Sequence, residues 1–174
     1  MRVLILKVFT ILAVCLSIVP AYAQEEDYRS VEALKSLGVR SCASAVRDMT
    51  KFMYDKDDFA YLNLWNKVAI DKHMSFTITS KPYADGKSIA ALAVSPTPAG
   101  TCDINFVQFF ATKESCPKLR DTTFKEWKYY ADLGGTPMYE DSTFASSIVA
   151  LVSAEGGCLI VKTGLLFLDA DMQK

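Results

Sequence analysis

Met74-Ser75-Phe76-Thr77-Ile78-Thr79 alternates apolar with hydroxylated side chains, a period of two that predicts a strand with one dry and one wet face. Asp85-Gly86 then predicts a tight hairpin turn, where glycine tolerates positive φ, and Lys87 to Ser95 reads as the returning strand. The loop Pro96-Thr97-Pro98-Ala99-Gly100 leads into Cys102 to Ala111. There Ile104, Phe106 and Phe110 share one face and Val107 and Phe109 the other, so this strand is expected at the centre of a sheet.

Upstream the period is helical. From Ser41 to Tyr54, Cys42, Ala45, Met49, Phe52 and Met53 recur at spacings of three and four, with Arg47, Asp48 and Lys51 opposite, which turns Cys42 inward. Asp55-Lys56-Asp57-Asp58 ends that helix. The stretch through Phe59, Leu62, Trp65 and Ala69 fits a second helix and also alternates as a strand, and both readings stand.

Downstream, Ser115-Cys116-Pro117 has the form of a capped start with proline in the first turn, predicting a short helix from Cys116 to Asp121. Phe124 to Ala131 reads as a strand broken by Gly134-Gly135, and Thr136 to Glu140 as a short one. Ser146 to Ser153 pairs with Cys158 to Leu168 across Glu155-Gly156-Gly157. The expected class is α+β: a helix packed on a mostly antiparallel sheet, with a short helical insertion. The strand-helix-strand alternation of a parallel nucleotide-binding sheet is absent from the pattern.

The first 23 residues read as a signal peptide. Arg2 and Lys7 precede the apolar run Val8 to Val19, and Ala21-Tyr22-Ala23 offers a small-x-small cleavage site before Gln24. Lipidation of Cys15 is disfavoured, because Val14 precedes it and Leu16-Ser17-Ile18-Val19 follows. Residues 24–174 are then expected as one periplasmic or secreted domain without a stable membrane anchor, large enough to build its own core. The leader holds two basic and no acidic residues, leaving 17 Lys+Arg against 20 Asp+Glu. Such an acidic excess without charge blocks argues against general affinity for nucleic acid or anionic lipid.

Cys42, Cys102, Cys116 and Cys158 form an even set in an exported chain, so two disulfides are expected. No pair is spaced Cys-x2-Cys and His73 is the lone histidine, so neither a metal nor another cofactor is expected. An extended strand carries Cys102 about 30 Å from its far end, and the residues onward to Cys116 retrace only about 17 Å, which opposes a Cys102–Cys116 bridge. Cys42–Cys102 with Cys116–Cys158, or Cys42–Cys116 with Cys102–Cys158, remain; the first is preferred.

Chemistry is thin. Asp71, His73 and Ser75 alternate as though on one strand face, yet i, i+2 neighbours lie about 6.6 Å apart, too far for a nucleophile and its base. They are read as a solvated face, with no catalytic residue assigned. Asp55, Asp57 and Asp58 lack the glycine and terminal glutamate of a calcium loop. Phe124-Lys125-Glu126-Trp127-Lys128-Tyr129-Tyr130, with Tyr139 nearby, combines amphipathic aromatics and lysines. Trp127, Tyr129 and Tyr130, with Lys125 and Lys128 at the rim, are therefore the candidate partner surface, against the alternative that alternate aromatics pack the core. As a strand, this stretch puts Trp127 and Tyr129 on one face and Tyr130 on the other, so one set at most is expected outside.

Thr101-Cys102-Asp103, Glu114-Ser115-Cys116-Pro117-Lys118-Leu119-Arg120, Thr123-Phe124-Lys125-Glu126-Trp127-Lys128 and Gly157-Cys158-Leu159-Ile160-Val161-Lys162-Thr163-Gly164 resemble a group of small exported four-cysteine proteins of Gram-negative bacteria. The resemblance implies a periplasmic or secreted location and no activity. The leading expectation is a non-enzymatic protein that binds another envelope or secreted protein, as an inhibitor does. A hydrolase working through carboxylates and a carrier of a small apolar ligand are the alternatives.

Overall fold

The computed structural model describes residues 28–168 except 55, 57, 85 and 145. The leader, its cleavage site, Asp55, Asp57 and Asp85 lie outside the described residues. Helix α1 (Arg29–Leu37) buries Val31 and Leu34. It stops at Gly38, whose φ of 105° lets its own N–H reach the Lys35 carbonyl while Val39 bonds back to Leu34. Helix α2 (Ala43–Met53) buries Ala45, Met49 and Met53 at the spacing read from the sequence and Val46 besides, while Phe52 is half-buried.

The strands are β1 (Ala60–Leu64), β2 (Ser75–Tyr83), β3 (Gly86–Pro96), β4 (Cys102–Thr112), β5 (Tyr129–Leu133), β6 (Thr136–Glu140), β7 (Ser147–Ala154) and β8 (Gly157–Phe167). They form one sheet in the order β1-β2-β3-β4-β8-β7-β6-β5, every neighbouring pair antiparallel. Helix α3 (Cys116–Asp121) follows β4, after which the chain runs to the outer strand β5. The fold is thus broadly α+β, with β4 at the centre. The ambiguous stretch after Phe59 resolves into β1 followed, after an irregular segment, by a 3-10 turn at Ile70–Lys72.

One row across the sheet places its core. Asn63, Thr77, Leu92, Phe106, Gly164 and Ser147 are successive register partners, and all are buried. Gly164 is required there, since a Cβ would come within 2.6 Å of the Phe106 ring. The next parallel row, Leu62, Ile78, Ala91, Val107, Thr163 and Ile148, points the other way, and none of it is buried. All buried strand side chains belong to the first face. The core beneath α1 and α2 and a smaller cluster around Cys116, Leu119, Phe124, Tyr139, Val149 and Leu151 share it.

This arrangement corrects the reading of β2. Ser75, Thr77 and Thr79 are buried, whereas Phe76 and Ile78 are half-buried on the uncovered face. Register forces the outcome: Thr77 and Thr79 pair with Leu92 and Ala90, which lie under the helices with Ile104 and Phe106. The hydroxyls are satisfied locally. Thr77 Oγ1 donates to Asn63 Oδ1 at 2.9 Å, Asn63 Nδ2 donates to the Ser30 carbonyl at 2.9 Å, and the hydroxyls of Thr79 and Tyr54 meet at 2.6 Å.

Gly86 is also explained differently. A Cβ there would collide with the Ala111 carbonyl of β4, so close strand approach demands the glycine. Disulfides join Cys42 to Cys102, Cα atoms 5.9 Å apart, and Cys116 to Cys158, 4.9 Å apart. The first ties the start of α2 to β4; the second ties α3 to β8.

Candidate functional site

The segment from Ser115 to Glu140 positions the candidate aromatics. Ser115 Oγ accepts from the Lys118 N–H at 3.4 Å, Pro117 sits in the first turn, and Cys116 anchors α3 to β8. The chain then folds back instead of extending. Phe124 N–H bonds to Leu119 O at 2.9 Å and Trp127 N–H to Phe124 O at 3.0 Å, bonds of turns rather than of a ladder. The expected strand from Phe124 therefore begins only at Tyr129, which pairs with Tyr139. Burial of Leu119 and Phe124 against β7 and β8 holds the segment over the sheet.

Trp127 is half-buried, edge-on to Phe124 with ring centroids 4.9 Å apart. Tyr129 and Tyr130 are 56% and 55% exposed. The expectation that one of these two would turn inward fails because β5 is an outer strand, with a bulge between Tyr129 and Ala131. Lys128 Nζ lies 2.8 Å from Glu140 Oε1 and Lys125 Nζ 3.9 Å from Glu126 Oε1, so each lysine has a carboxylate neighbour.

Lys125, Trp127 and Tyr129 meet around an open groove of about 500 Å³ with Arg120, Phe124 and Tyr139; Lys128 and Tyr130 do not line it. On the other side of Trp127, a slot of about 220 Å³ is lined by Tyr83, Gln108, Phe110, Phe124, Val149, Ile160 and Lys162 as well. Trp127 is therefore a wall between two depressions. Sequence reasoning missed the slot, because Tyr83 and Phe110 reach it from β2 and β4, far away in the chain.

The carboxylates that depart from ordinary behaviour have structural work. Burial pushes the Asp71 carboxyl up, but N–H groups of Arg40 and Ser41 at 2.7 and 2.9 Å and the Ser41 hydroxyl at 2.8 Å outweigh it and hold the group below its usual value. Burial likewise opposes ionisation of Asp141, and it too is held low by Lys162, the Ser147 hydroxyl and both donors of Thr143. Both are saturated by donors. The Asp71–His73–Ser75 trio does not assemble: Asp71 bonds the loop before α2, His73 is exposed and Ser75 is buried. Ser75 therefore departs from the solvated face expected for it.

Lys81 is buried on β2, paired with Asp58 and 5.3 Å from the Tyr83 ring centre. The alternation Thr77-Thr79-Lys81 carried the signal for its inward direction, hidden by its charge. Among the described residues, no group of three or more His, Cys, Asp and Glu side chains could hold a metal, and no helix is long and apolar enough to cross a membrane. No protein-family model, curated protein or solved structure matches the chain.

Proposed function

We propose that this is an exported, non-enzymatic binding protein that captures an extended segment of another envelope or secreted protein along β5. The observation that carries the reading is the pair Tyr129 and Tyr130, both more than half exposed on a strand paired on one side only. An outer strand offers backbone donors and acceptors to a partner strand, and the flanking side chains select it. The groove beside Trp127 takes one apolar side chain of the captured segment, with Tyr129 as its outer wall. Lys125 and Lys128 each stand beside a glutamate, which fits a partner of low net charge. Capture from the exported fraction by the native protein, by Tyr129→Ala/Tyr130→Ala and by the distant control Leu64→Ala tests this. Selective loss in the tyrosine variant, with unchanged melting, supports the reading; equal capture by all three contradicts it.

A second reading, a carrier of a small apolar ligand, draws on the aromatic slot beside Trp127 on the covered face of the sheet. Quenching or enhancement of Trp127 fluorescence on titration with an environment-sensitive apolar dye, abolished by Phe110→Lys, distinguishes it. An unchanged signal contradicts it.

A further inference from the structure

The uncovered face of the sheet has a chemistry of its own. On β1–β4, β7 and β8 its charged residues are Lys87 and Asp103 alone, and no residue on it is buried. The two stand at opposite ends of the β3–β4 pair: Lys87 pairs with Ala111 and Asp103 with Ser95. Both are exposed, and neither forms an ion pair among the described residues. Between them on β3 and β4 the face is apolar but for Asn105, whose amide donates to the Gly164 carbonyl at 3.3 Å, and Ile89, Phe109 and Leu165 are 46%, 38% and 52% exposed.

The pattern is self-complementary about one row. We propose that this face binds a second copy of the chain, the two sheets packing face to face about a two-fold axis that crosses the strands at the Ala91–Val107 row. Such an axis keeps each strand over its counterpart and reverses its direction. The Ile89–Phe109 row, two residues to one side, then lies over the Ala93–Asn105 row of the other copy, two residues to the other side. Ile89 then meets Ala93, and Phe109 meets Asn105. Phe76, beside Ala93 on β2, falls in the same way over Ser80, beside Ile89.

The charges fix the same register. Reversal brings Lys87 of one copy over the end that holds Asp103 in the other, within reach of a lysine across the roughly 10 Å between packed sheets, and it does so twice by symmetry. An axis parallel to the strands would place Lys87 ends over Lys87 ends, which like charge disfavours. Twist turns the two sheets by about 30° without separating the central rows. From strand spacing and rise the patch spans about 25 by 25 Å, so a pair buries about 1,200 Å², the lower range of stable interfaces.

Sedimentation equilibrium of the purified protein tests the proposal. The expected result is a reversible dimer in the micromolar range that becomes monomeric in Ala93→Arg and is unaffected by Tyr129→Ala at the β5 edge. Lys87→Glu and Asp103→Lys each weaken association about tenfold, and the double variant restores it. A monomer throughout that range, a dimer indifferent to Ala93→Arg, or a double charge reversal no better than either single variant overturns it. Should Ala93→Arg fail to fold, the exposed Lys87 and Asp103 variants decide alone.

Discussion

Asp141 and Lys162 meet at 2.6 Å, the carboxylate wholly withdrawn from solvent and the amine 4.5 Å from the centre of the Phe52 ring of α2. The pair joins the loop after β6 to β8 and fixes its carboxylate with hydroxyls from Ser147 and Thr143. A donor set this complete makes Asp141 a structural anion.

Its pH dependence has a definite sign. Folding lowers the Asp141 pKa, so the folded state binds fewer protons than the unfolded one near the unfolded value of about 3.9. The contribution is fully present above that value and is lost as pH falls through the lower folded value. Lys162→Met leaves a buried carboxylate without its cation, and is expected to cost about 3 to 5 kcal/mol and to move acid unfolding to higher pH. Denaturant titrations at several pH values check both; an unshifted acid transition contradicts the assignment.

Thr77→Val is expected to destabilise by about 1 to 3 kcal/mol, because it strands the Asn63 carbonyl oxygen in the core. Were the hydroxyl face of β2 solvated, the same change would stay within about 0.5 kcal/mol. Urea denaturation of the single variant separates the two.

That contrast shows what was legible. Alternation located β2, β3 and β4, and helical spacing located α2, because these periods follow from backbone geometry alone. Which side of Ser75-Phe76-Thr77-Ile78 faces the helices depends on register with β3, which no local pattern records. α1 passed unnoticed because Val31 and Leu34 are its only buried apolar side chains, too few for a period. The Phe124–Tyr130 stretch misled for a related reason: aromatics favour strands, yet the Cys116–Cys158 bridge and the burial of Leu119 and Phe124 hold this segment in turns. Of the candidate surface, Tyr129 and Tyr130 stay exposed and Trp127 becomes a wall.

The bridges close 60- and 42-residue separations, so loop-closure entropy assigns each about 4 kcal/mol. Replacing either cysteine pair by alanine is expected to lower stability by about 2 to 5 kcal/mol. Loss of Cys116–Cys158 also frees α3 and the groove it borders. Guanidinium unfolding of each double variant measures the cost, and a change below about 1 kcal/mol contradicts this account of the staples.

His73→Ala is expected to alter neither melting nor partner capture, since the ring is exposed and has no hydrogen-bonding partner among the described residues. Loss of capture in a variant with native melting would assign the histidine a role that the geometry does not.

Amide hydrogen exchange on the protein bound to its captured partner tests strand addition most directly. The account predicts new protection across Tyr129–Leu133, with exchange at the opposite outer strand, Ala60–Leu64, unchanged. Protection confined to Ala60–Leu64, or absent from both outer strands while the partner stays bound, contradicts it.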